Sequence, residues 1–214
     1  MSTLIKSTIA VLGGAGKAGR PLIDQALRSG YAVRALVRHP DLFTLTHERL
    51  TILAGDARDP AALGQLLDGS GALISTLGNP KGENTPMLST VAGLVLAHMQ
   101  AAGISRYIAL TSLYDMGEPQ TDKKTRLSAA FMQQHFPLFM ADREREYRLL
   151  QESELDWTYV RIPYLVQEPV LGTVNTHLAH MPGSQLAVAD LASFLIEQLD
   201  DTQFSRQAPF VANG

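Results

Sequence analysis

The amino-acid sequence predicts a doubly wound α/β fold, in which helices cover both faces of a mainly parallel sheet. Short apolar runs alternate with stretches of helical periodicity along nearly the whole chain. Strands separated by helices pair in parallel through right-handed crossovers. The length of 214 residues suits one α/β domain, and we expect a single domain over residues 1–214.

The elements follow from apolar periodicity and from helix start and stop signals. Strands are predicted at residues 7–12, 31–37, 49–53, 72–77, 106–110, 157–162 and 209–212, the last as a closing edge strand. Helices are predicted at residues 19–29, 60–67, 84–102, 143–152 and 188–199. Pro21 suits a first helical turn, where its missing N–H costs nothing, and Gly30 and Gly103 follow the ends of two helices.

Two stretches, residues 114–141 and 166–185, interrupt this alternation. Each follows a strand at the carboxyl edge of the predicted sheet, where α/β folds bind ligands, so both are candidate substrate loops. The segment from Phe131 to Met140 is apolar and aromatic. It suits either a lid over a flat substrate, or ordinary core or a dimer contact.

Composition excludes several classes of function. The net charge of −3 provides no basic face for nucleic acid or an anionic membrane. No apolar run approaches the roughly 18 residues of a membrane span, and residues 1–6 lack the layout of a signal peptide. The absence of cysteine rules out disulfides and thiolate chemistry. His177 and His180 lack a third metal ligand, so we expect no metal site. A cytoplasmic monomer or homodimer acting on a small molecule is expected.

A glycine-rich loop follows the first predicted strand and precedes the first predicted helix. Its spacing is G-x-x-G-x-x-G. Glycines allow a tight turn and let a pyrophosphate approach backbone N–H groups, while the helix N-terminus favours negative charge. A purely structural turn is the alternative, but the strand and helix on either side favour a dinucleotide site. The predicted loop contacts are Gly13, Ala15, Gly16, Lys17, Ala18 and Gly19.

Arg38 bears on the choice of dinucleotide. It ends the second predicted strand, where NAD enzymes usually place an acidic residue for the ribose hydroxyls. A guanidinium can form paired hydrogen bonds with a 2′-phosphate, and Lys17 could add to this. The alternative is that Arg38 is a solvated residue at the end of a strand. The pattern favours NADP over NAD.

The ends of the third and fourth predicted strands supply further candidates. Asp56 could read the amino edge of adenine together with neighbouring N–H groups, or it could cap a turn, and both alternatives stay open. Gly78 would let the backbone run beside the adenosine ribose and pyrophosphate. The cofactor residues predicted here are Asp56, Ala57, Thr76, Leu77 and Gly78.

Over nearly its whole length the chain resembles the atypical short-chain dehydrogenases, in the branch of NmrA-like proteins and biliverdin-IXβ reductase (NADPH-flavin reductase). The resemblance rests on the segments Ile9–Gly16, Val33–Arg38, Gly55-Asp56, Leu77-Gly78, Thr111-Ser112, Leu150–Ser153, Leu155–Thr158 and Gln167–Gly172. It implies a Rossmann fold that binds NADP, with Arg38 on the 2′-phosphate. It also implies that Thr111 and Ser112 lie beside the nicotinamide. Backbone contacts to its carboxamide are implied for Pro163, Tyr164 and Leu165.

The usual catalytic pair of short-chain dehydrogenases, Tyr-x-x-x-Lys, is not found. Counting back from Leu155, its positions fall at Phe139 and Arg143. A phenyl ring has no proton to give and a guanidinium is not a practical general acid, so carbonyl reduction by that route is disfavoured. Tyr147 lies on the same predicted helix but is poorly placed, and we expect it to pack.

Flavin reduction avoids the need for such an acid. Hydride can pass directly from the nicotinamide to a flavin such as FMN or FAD, to a quinone or to a similar flat acceptor, with a proton from solvent. Ser112 would position the acceptor. Arg143 would pair with an anionic group, unless it is a surface residue of the charge run from Asp142 to Glu146. The alternative function is a non-catalytic NADP-binding sensor, as NmrA-like proteins are.

Overall fold

An eight-stranded sheet forms the centre of the computed structural model, which describes residues 7–79, 85–118, 121–168 and 170–214. The strands of this sheet are β1 (Thr8–Leu12), β2 (Ala32–Val37), β3 (Leu50–Ala54), β4 (Ala72–Ser75), β5 (Arg106–Thr111), β6 (Asp156–Arg161), β8 (Val174–His177) and β10 (Phe210–Asn213). Strands β7 (Tyr164–Val166) and β9 (Gln185–Ala187) pair in parallel as a separate two-stranded sheet. The helices are α1 (Gly19–Arg28), α2 (Pro60–Leu67), α3 (Leu88–Ala102), α4 (Lys123–His135), α5 (Pro137–Glu152) and α6 (Val188–Glu197), with a 3₁₀ turn at Pro40–Leu42. Within the described ranges, no helix is long and apolar enough to cross a bilayer.

The strand order is β3-β2-β1-β4-β5-β6-β10-β8. Every neighbouring pair from β3 to β10 is parallel, and β8 pairs antiparallel with β10 at the edge. The chain moves outwards from β1 to β3 and then crosses back to β4 on the other side of β1. This reversal creates the switch point at which such sheets bind ligands, between β1 and β4. The predicted doubly wound fold is confirmed.

Alternate residues of β1 belong to different halves of the core. Ile9 and Val11 pack in the layer that contains α1 and α6. Ala10 and Leu12 pack in the layer that contains α2 and α3. Because helices cover both faces, the strand is apolar at consecutive positions instead of alternating with polar ones.

The region predicted as a loop over residues 114–141 is largely helical. The Asp122 carboxylate caps α4 by accepting a hydrogen bond from the Thr125 N–H at 2.7 Å, and α5 begins at Pro137. Thr125 is the single buried side chain of α4, and the apolar residues Leu127 and Phe131, which share a helix face at i, i+4 spacing, are exposed. Among the described residues of this stretch, 114–118, 121–122 and 136 lie outside the helices.

The C-terminal strand β10 is not the edge strand that the sequence predicted. It lies between β6 and β8, and β8 comes from the second stretch predicted as a loop. Most residues of β8 are exposed and polar, so apolar alternation does not mark it. Asn213 fixes this end of the sheet, because its side chain accepts from the Ala187 N–H and donates to the Asp190 carboxylate, each at 2.8 Å.

Candidate functional site

A cleft of about 710 Å³ opens at the carboxyl ends of β1 to β6. It therefore lies at the switch point of the sheet. Its walls bring together almost every site residue predicted from the sequence: Gly13, Ala15, Gly16, Lys17, Ala18, Arg38, Asp56, Ala57, Thr76, Leu77, Gly78, Thr111, Ser112, Arg143, Pro163, Tyr164 and Leu165. Gly19 is the predicted residue that does not line it.

The glycine loop is packed tightly against its neighbours. Gly13 has a φ of +76°, and a Cβ there would lie 2.8 Å from the carbonyl carbon of Thr76. The Thr76 hydroxyl lies 3.1 Å from the carbonyl oxygen of Leu12, to which it can donate. A Cβ on Gly19 would lie 2.1 Å from the carbonyl oxygen of Gly13. Gly13 thus lets the loop lie against the end of β4, and Gly19 lets α1 start directly beneath the loop.

Backbone donors of the loop remain open towards an anion. The Gly16 N–H donates to the Gly13 carbonyl at 2.9 Å. Within the described part of the chain, the N–H groups of Ala15, Lys17 and Ala18 make no backbone hydrogen bond. Unpaired N–H groups ahead of a helix are the usual elements of a phosphate site.

Asp56 has both of its oxygens engaged by Arg58. One oxygen accepts from the Arg58 N–H at 2.8 Å, and the guanidinium donates to both oxygens, at 2.9 and 2.7 Å. These hydrogen bonds, helped by the charge of Arg38, lower the pKa of Asp56 from 3.8 to about 2. The turn-capping alternative for Asp56 is therefore observed, while its contact with adenine stays a prediction. Arg38 is exposed and lines the cleft nearby.

Lys17 points towards the side of the cleft opposite Arg38. Its ammonium nitrogen lies 5.7 Å from the ring centroid of Tyr164, a distance typical of a cation–π contact. Tyr164 follows β6, whereas Arg38 follows β2 on the other side of β1 in the sheet. This orientation favours a role for Lys17 away from the 2′-phosphate position.

The charge run of α5 is divided between core and surface. Asp142, Arg143 and Glu146 are buried, at 5%, 7% and 4% exposure, whereas Glu144 and Arg145 are exposed. Positions 142, 143 and 146 share one helix face because of their i, i+3 and i, i+4 spacing. The interpretation of Arg143 as a surface residue is therefore wrong.

Arg143 is held in a fixed position at the cleft wall. Its Nη1 donates to the Leu110 carbonyl and to the Glu146 carboxylate, both at 3.0 Å. The Tyr159 hydroxyl donates to the same carboxylate oxygen at 2.6 Å. Burial acts to lower the pKa of Arg143, but the charges and hydrogen bonds of Glu146 and Tyr159 outweigh it and raise the pKa. Arg143 is therefore cationic and oriented.

Asp142 and Tyr147 secure the helix that carries Arg143. The Asp142 carboxylate accepts from the N–H groups of Leu88 and Ser89, at 2.8 and 3.3 Å, and so caps the start of α3. Tyr147 stacks on Tyr159 with ring centroids 5.9 Å apart, so it packs as the sequence analysis expected.

Arg161, at the end of β6, anchors both stretches that the sequence marked as substrate loops. Its side chain is 1% exposed and forms an ion pair with Glu118 at 2.6 Å. Its Nε donates to the Ala208 carbonyl at 2.8 Å, and its other nitrogens reach the carbonyls of Tyr114 and Leu178. Residues 114–118 and 178 are thus fastened to the sheet through one guanidinium.

Sequence reasoning missed Tyr114, Asn79 and Met87, which also line the cleft. The Tyr114 hydroxyl donates to the Ile162 carbonyl at 2.9 Å, and burial raises the pKa of Tyr114. The available signal for Tyr114 was its position just beyond the carboxyl end of β5, where ligands bind in such sheets. No motif marks Asn79 or Met87.

The apolar and aromatic segment from Phe131 to Met140 does not line the cleft. Phe131, Phe136 and Leu138 are 54%, 43% and 67% exposed and do not line the described cleft. The interpretation as ordinary core holds for Met140, which is 3% exposed, and is wrong for these three. Phe139 does not line the described cleft either.

His177 and His180 also lie outside the described cleft. Their rings stack with centroids 3.4 Å apart. The His177 Nδ1 accepts from the N–H groups of Ala179 and His180, at 2.9 and 3.1 Å. This nitrogen therefore serves to hold a turn together.

Replacing Gly19 with alanine tests the packing of the glycine loop. The added methyl meets the Gly13 carbonyl, a backbone atom that cannot turn aside, so we expect Gly19→Ala to weaken binding of NADPH by about 10-fold or more in calorimetry. Gly93→Ala is the matched control, because a Cβ there meets nothing within 4 Å inside α3. It should stabilise the fold by about 0.5–1 kcal/mol and leave binding unchanged. Wild-type affinity in Gly19→Ala would contradict the packing argument.

The chain also matches known proteins. A family model described as NAD(P)H-binding matches residues 13–202. A short-chain dehydrogenase/reductase from Veillonella parvula DSM 2008 in complex with NADP superposes with a TM-score of 0.81 at 18% identity, over 97% of this chain and 94% of that chain. ChuY, an anaerobillin reductase from Escherichia coli O157:H7, superposes at 0.78 and 22% identity, over 96% and 97%.

The oxidoreductase ylbE from Lactococcus lactis superposes with a TM-score of 0.77 at 17% identity, over 97% of this chain and 91% of that chain. At these identities the structural likeness concerns the fold, which is the fold that the resemblance in sequence implied. The family match covers most of the chain and includes the glycine loop from Gly13 onwards. The chain belongs to the NAD(P)H-binding family.

Proposed function

We propose that this protein is an NADPH-dependent reductase that passes a hydride to a flat acceptor, such as a flavin or a quinone. The observation that carries the proposal is the joining of the glycine loop, Arg38 and the fixed cation Arg143 in one cleft of about 710 Å³. NADPH, when bound, supplies the hydride. The protein binds and orients both molecules and offsets the charge that the transfer creates.

The choice of NADPH over NADH is supported by the charges near the ends of β2 and β3. Arg38 and Arg58 both act on Asp56, so two guanidinium groups lie at this corner. Such a corner suits the additional phosphate of NADP, which guanidinium groups bind through paired hydrogen bonds.

The acceptor side of the cleft is aromatic. Tyr164 is 71% exposed at the cleft wall, and Tyr114 lines the cleft beside it. Aromatic rings stack on flat conjugated molecules at little conformational cost. These rings support a flat acceptor, and the neighbour ChuY, an anaerobillin reductase, is likewise a reductase of an organic acceptor.

Arg143 is assigned an electrostatic role. Hydride delivery brings two electrons and one proton, so the acceptor becomes negatively charged until a second proton arrives from solvent. A guanidinium already oriented by the Leu110 carbonyl and Glu146 offsets this charge without rearranging. Because Phe139 has no proton to give, the proposal assigns direct hydride transfer with the second proton from solvent, and not acid-assisted carbonyl reduction.

Anaerobic stopped-flow oxidation of NADPH, with FMN and separately with a quinone, tests the proposal. Acceptor-dependent loss of the nicotinamide absorbance is expected. The double variant Arg143→Met/Glu146→Gln, which leaves no buried charge unpaired, should lower kcat by about 10-fold or more with NADP binding retained. Arg143→Lys keeps a positive charge beside Glu146, leaves no buried charge unpaired, and is the matched control. Tight NADP binding without turnover of either acceptor would overturn the proposal and indicate a sensor.

Arg38→Ala tests the cofactor preference. Loss of charge-assisted hydrogen bonds to the 2′-phosphate should weaken NADPH binding by about 10- to 100-fold. NADH lacks that phosphate, so its dissociation constant should change by less than about 2-fold and serves as the internal control. A variant that keeps the wild-type ratio of NADPH to NADH affinities, measured by calorimetry, would show that Arg38 does not read the phosphate.

A further inference from the structure

A second cavity, of about 200 Å³, adjoins the cleft. Tyr114, Pro163 and Tyr164 line both cavities and so form the boundary between them. We propose that this cavity is a subsite for an anionic substituent, a carboxylate or a phosphate, carried by the flat acceptor. The inference rests on the proposed reductase function and names the class of acceptor that the site takes.

The size of the cavity indicates a substituent and not a separate ligand. Cavities that hold a complete small molecule usually measure about 300–1,000 Å³, above the volume found here. An acceptor whose ring lies beside Tyr114 and Tyr164 would place its substituent next to the second cavity, because these residues line both spaces.

The polar groups of the cavity suit an anion. Lys124 lies in the first turn of α4, and Ser128 stands one turn later on the same face. Ser184 lines the cavity from the segment before β9. One ammonium and two hydroxyl groups are donors that carboxylates and phosphates accept, and the ammonium supplies the opposite charge. Lys124 is exposed in the free protein and keeps its hydration until an anion arrives.

The N-terminus of helix α4 does not serve as the anion-binding group of the subsite. Asp122 caps it, accepting from the Thr125 N–H at 2.7 Å, so the helix terminus already has its negative partner. Recognition of a further anion depends on Lys124 and the hydroxyl groups.

The walls of the cavity are fastened to each other in advance. The Met181 N–H donates to the Thr125 hydroxyl at 2.9 Å and ties the segment before β9 to the first turn of α4. Arg161 holds the carbonyls of Leu178 and Tyr114 on the same side of the sheet. A preformed cavity loses little conformational freedom on binding.

FMN and riboflavin share one ring system and differ by a phosphate, so their comparison isolates the subsite. Lys124→Met should raise the KM for FMN by about 5- to 10-fold and leave the KM for riboflavin within about 2-fold of wild type. Lys123→Met, which removes the neighbouring lysine that does not line the cavity, is the matched control and should change neither. Equal effects of Lys124→Met on both flavins, or none on either, would overturn the phosphate assignment.

A quinone with a carboxylate side chain, compared with its methyl ester, is the second arm of the experiment. If Lys124→Met abolishes the difference in KM between FMN and riboflavin, the subsite takes a phosphate. If it abolishes the difference between the quinone carboxylate and its methyl ester, the subsite takes a carboxylate. If discrimination depends on Lys124 in neither pair, the subsite is refuted while the reductase function stands.

Binding measurements separate failure of the subsite from failure of the reductase function. If the wild-type protein turns over no acceptor, fluorescence titration of FMN and riboflavin into the NADP-loaded protein still tests the subsite. Tighter binding of FMN that disappears in Lys124→Met, but not in Lys123→Met, supports it. Equal binding of the two flavins by the wild type refutes it.

Discussion

The contact between Gly19 and the carbonyl of Gly13 is the constraint on which the cleft depends. The two residues meet where a Cβ would come within 2.1 Å of the carbonyl oxygen, so α1 begins directly under the loop. Gly13 itself lies against the end of β4 and adopts a positive φ that favours glycine. A side chain at either position would push the loop into the space that a pyrophosphate needs. The shape of the cleft therefore depends on Gly13 and Gly19 having no side chain.

The second constraint is electrostatic. Burying Arg143 and Glu146 costs desolvation that an apolar pair would avoid. The structure offsets this cost with a carbonyl for the guanidinium and with the Tyr159 hydroxyl for the carboxylate. The buried Arg143–Glu146 pair stabilises the fold little, but it holds a cation in a fixed orientation at the wall of the cleft. Asp142, one position earlier, fastens the same helix to the start of α3, so position and charge come from one segment.

The features that sequence could predict are those with local signals. The glycine loop, Arg38 and the inner strands follow from spacing and apolar runs, because parallel strands buried on both faces need consecutive apolar residues. Helix α4 was not predicted, because Leu127 and Phe131, although spaced i, i+4, are too few to mark a helix in an otherwise mostly polar segment; both are exposed in the structure. The inward face of α5 was hidden within a charge run that is typical of a surface, although its spacing held the information.

The cavity of about 200 Å³ beside the cleft could not be predicted from sequence for a different reason. Lys124 and Ser184 both line it, although they lie far apart in the chain and come together through tertiary packing alone. No periodicity relates such residues, and the strand β8 that frames this region is short and polar. Tyr114 belongs to the same case, because its contact with the Ile162 carbonyl depends on the pairing of β5 with β6.

The way in which Arg161 is bound has a consequence for mutations in the segments that it anchors. It donates hydrogen bonds to the backbone carbonyls of Ala208, Tyr114 and Leu178. It also forms an ion pair with the Glu118 carboxylate. A carbonyl is present whatever the residue, so the side chains of these segments can be exchanged by mutation while the anchor persists. Substitutions of these side chains should therefore leave the Arg161 anchor in place.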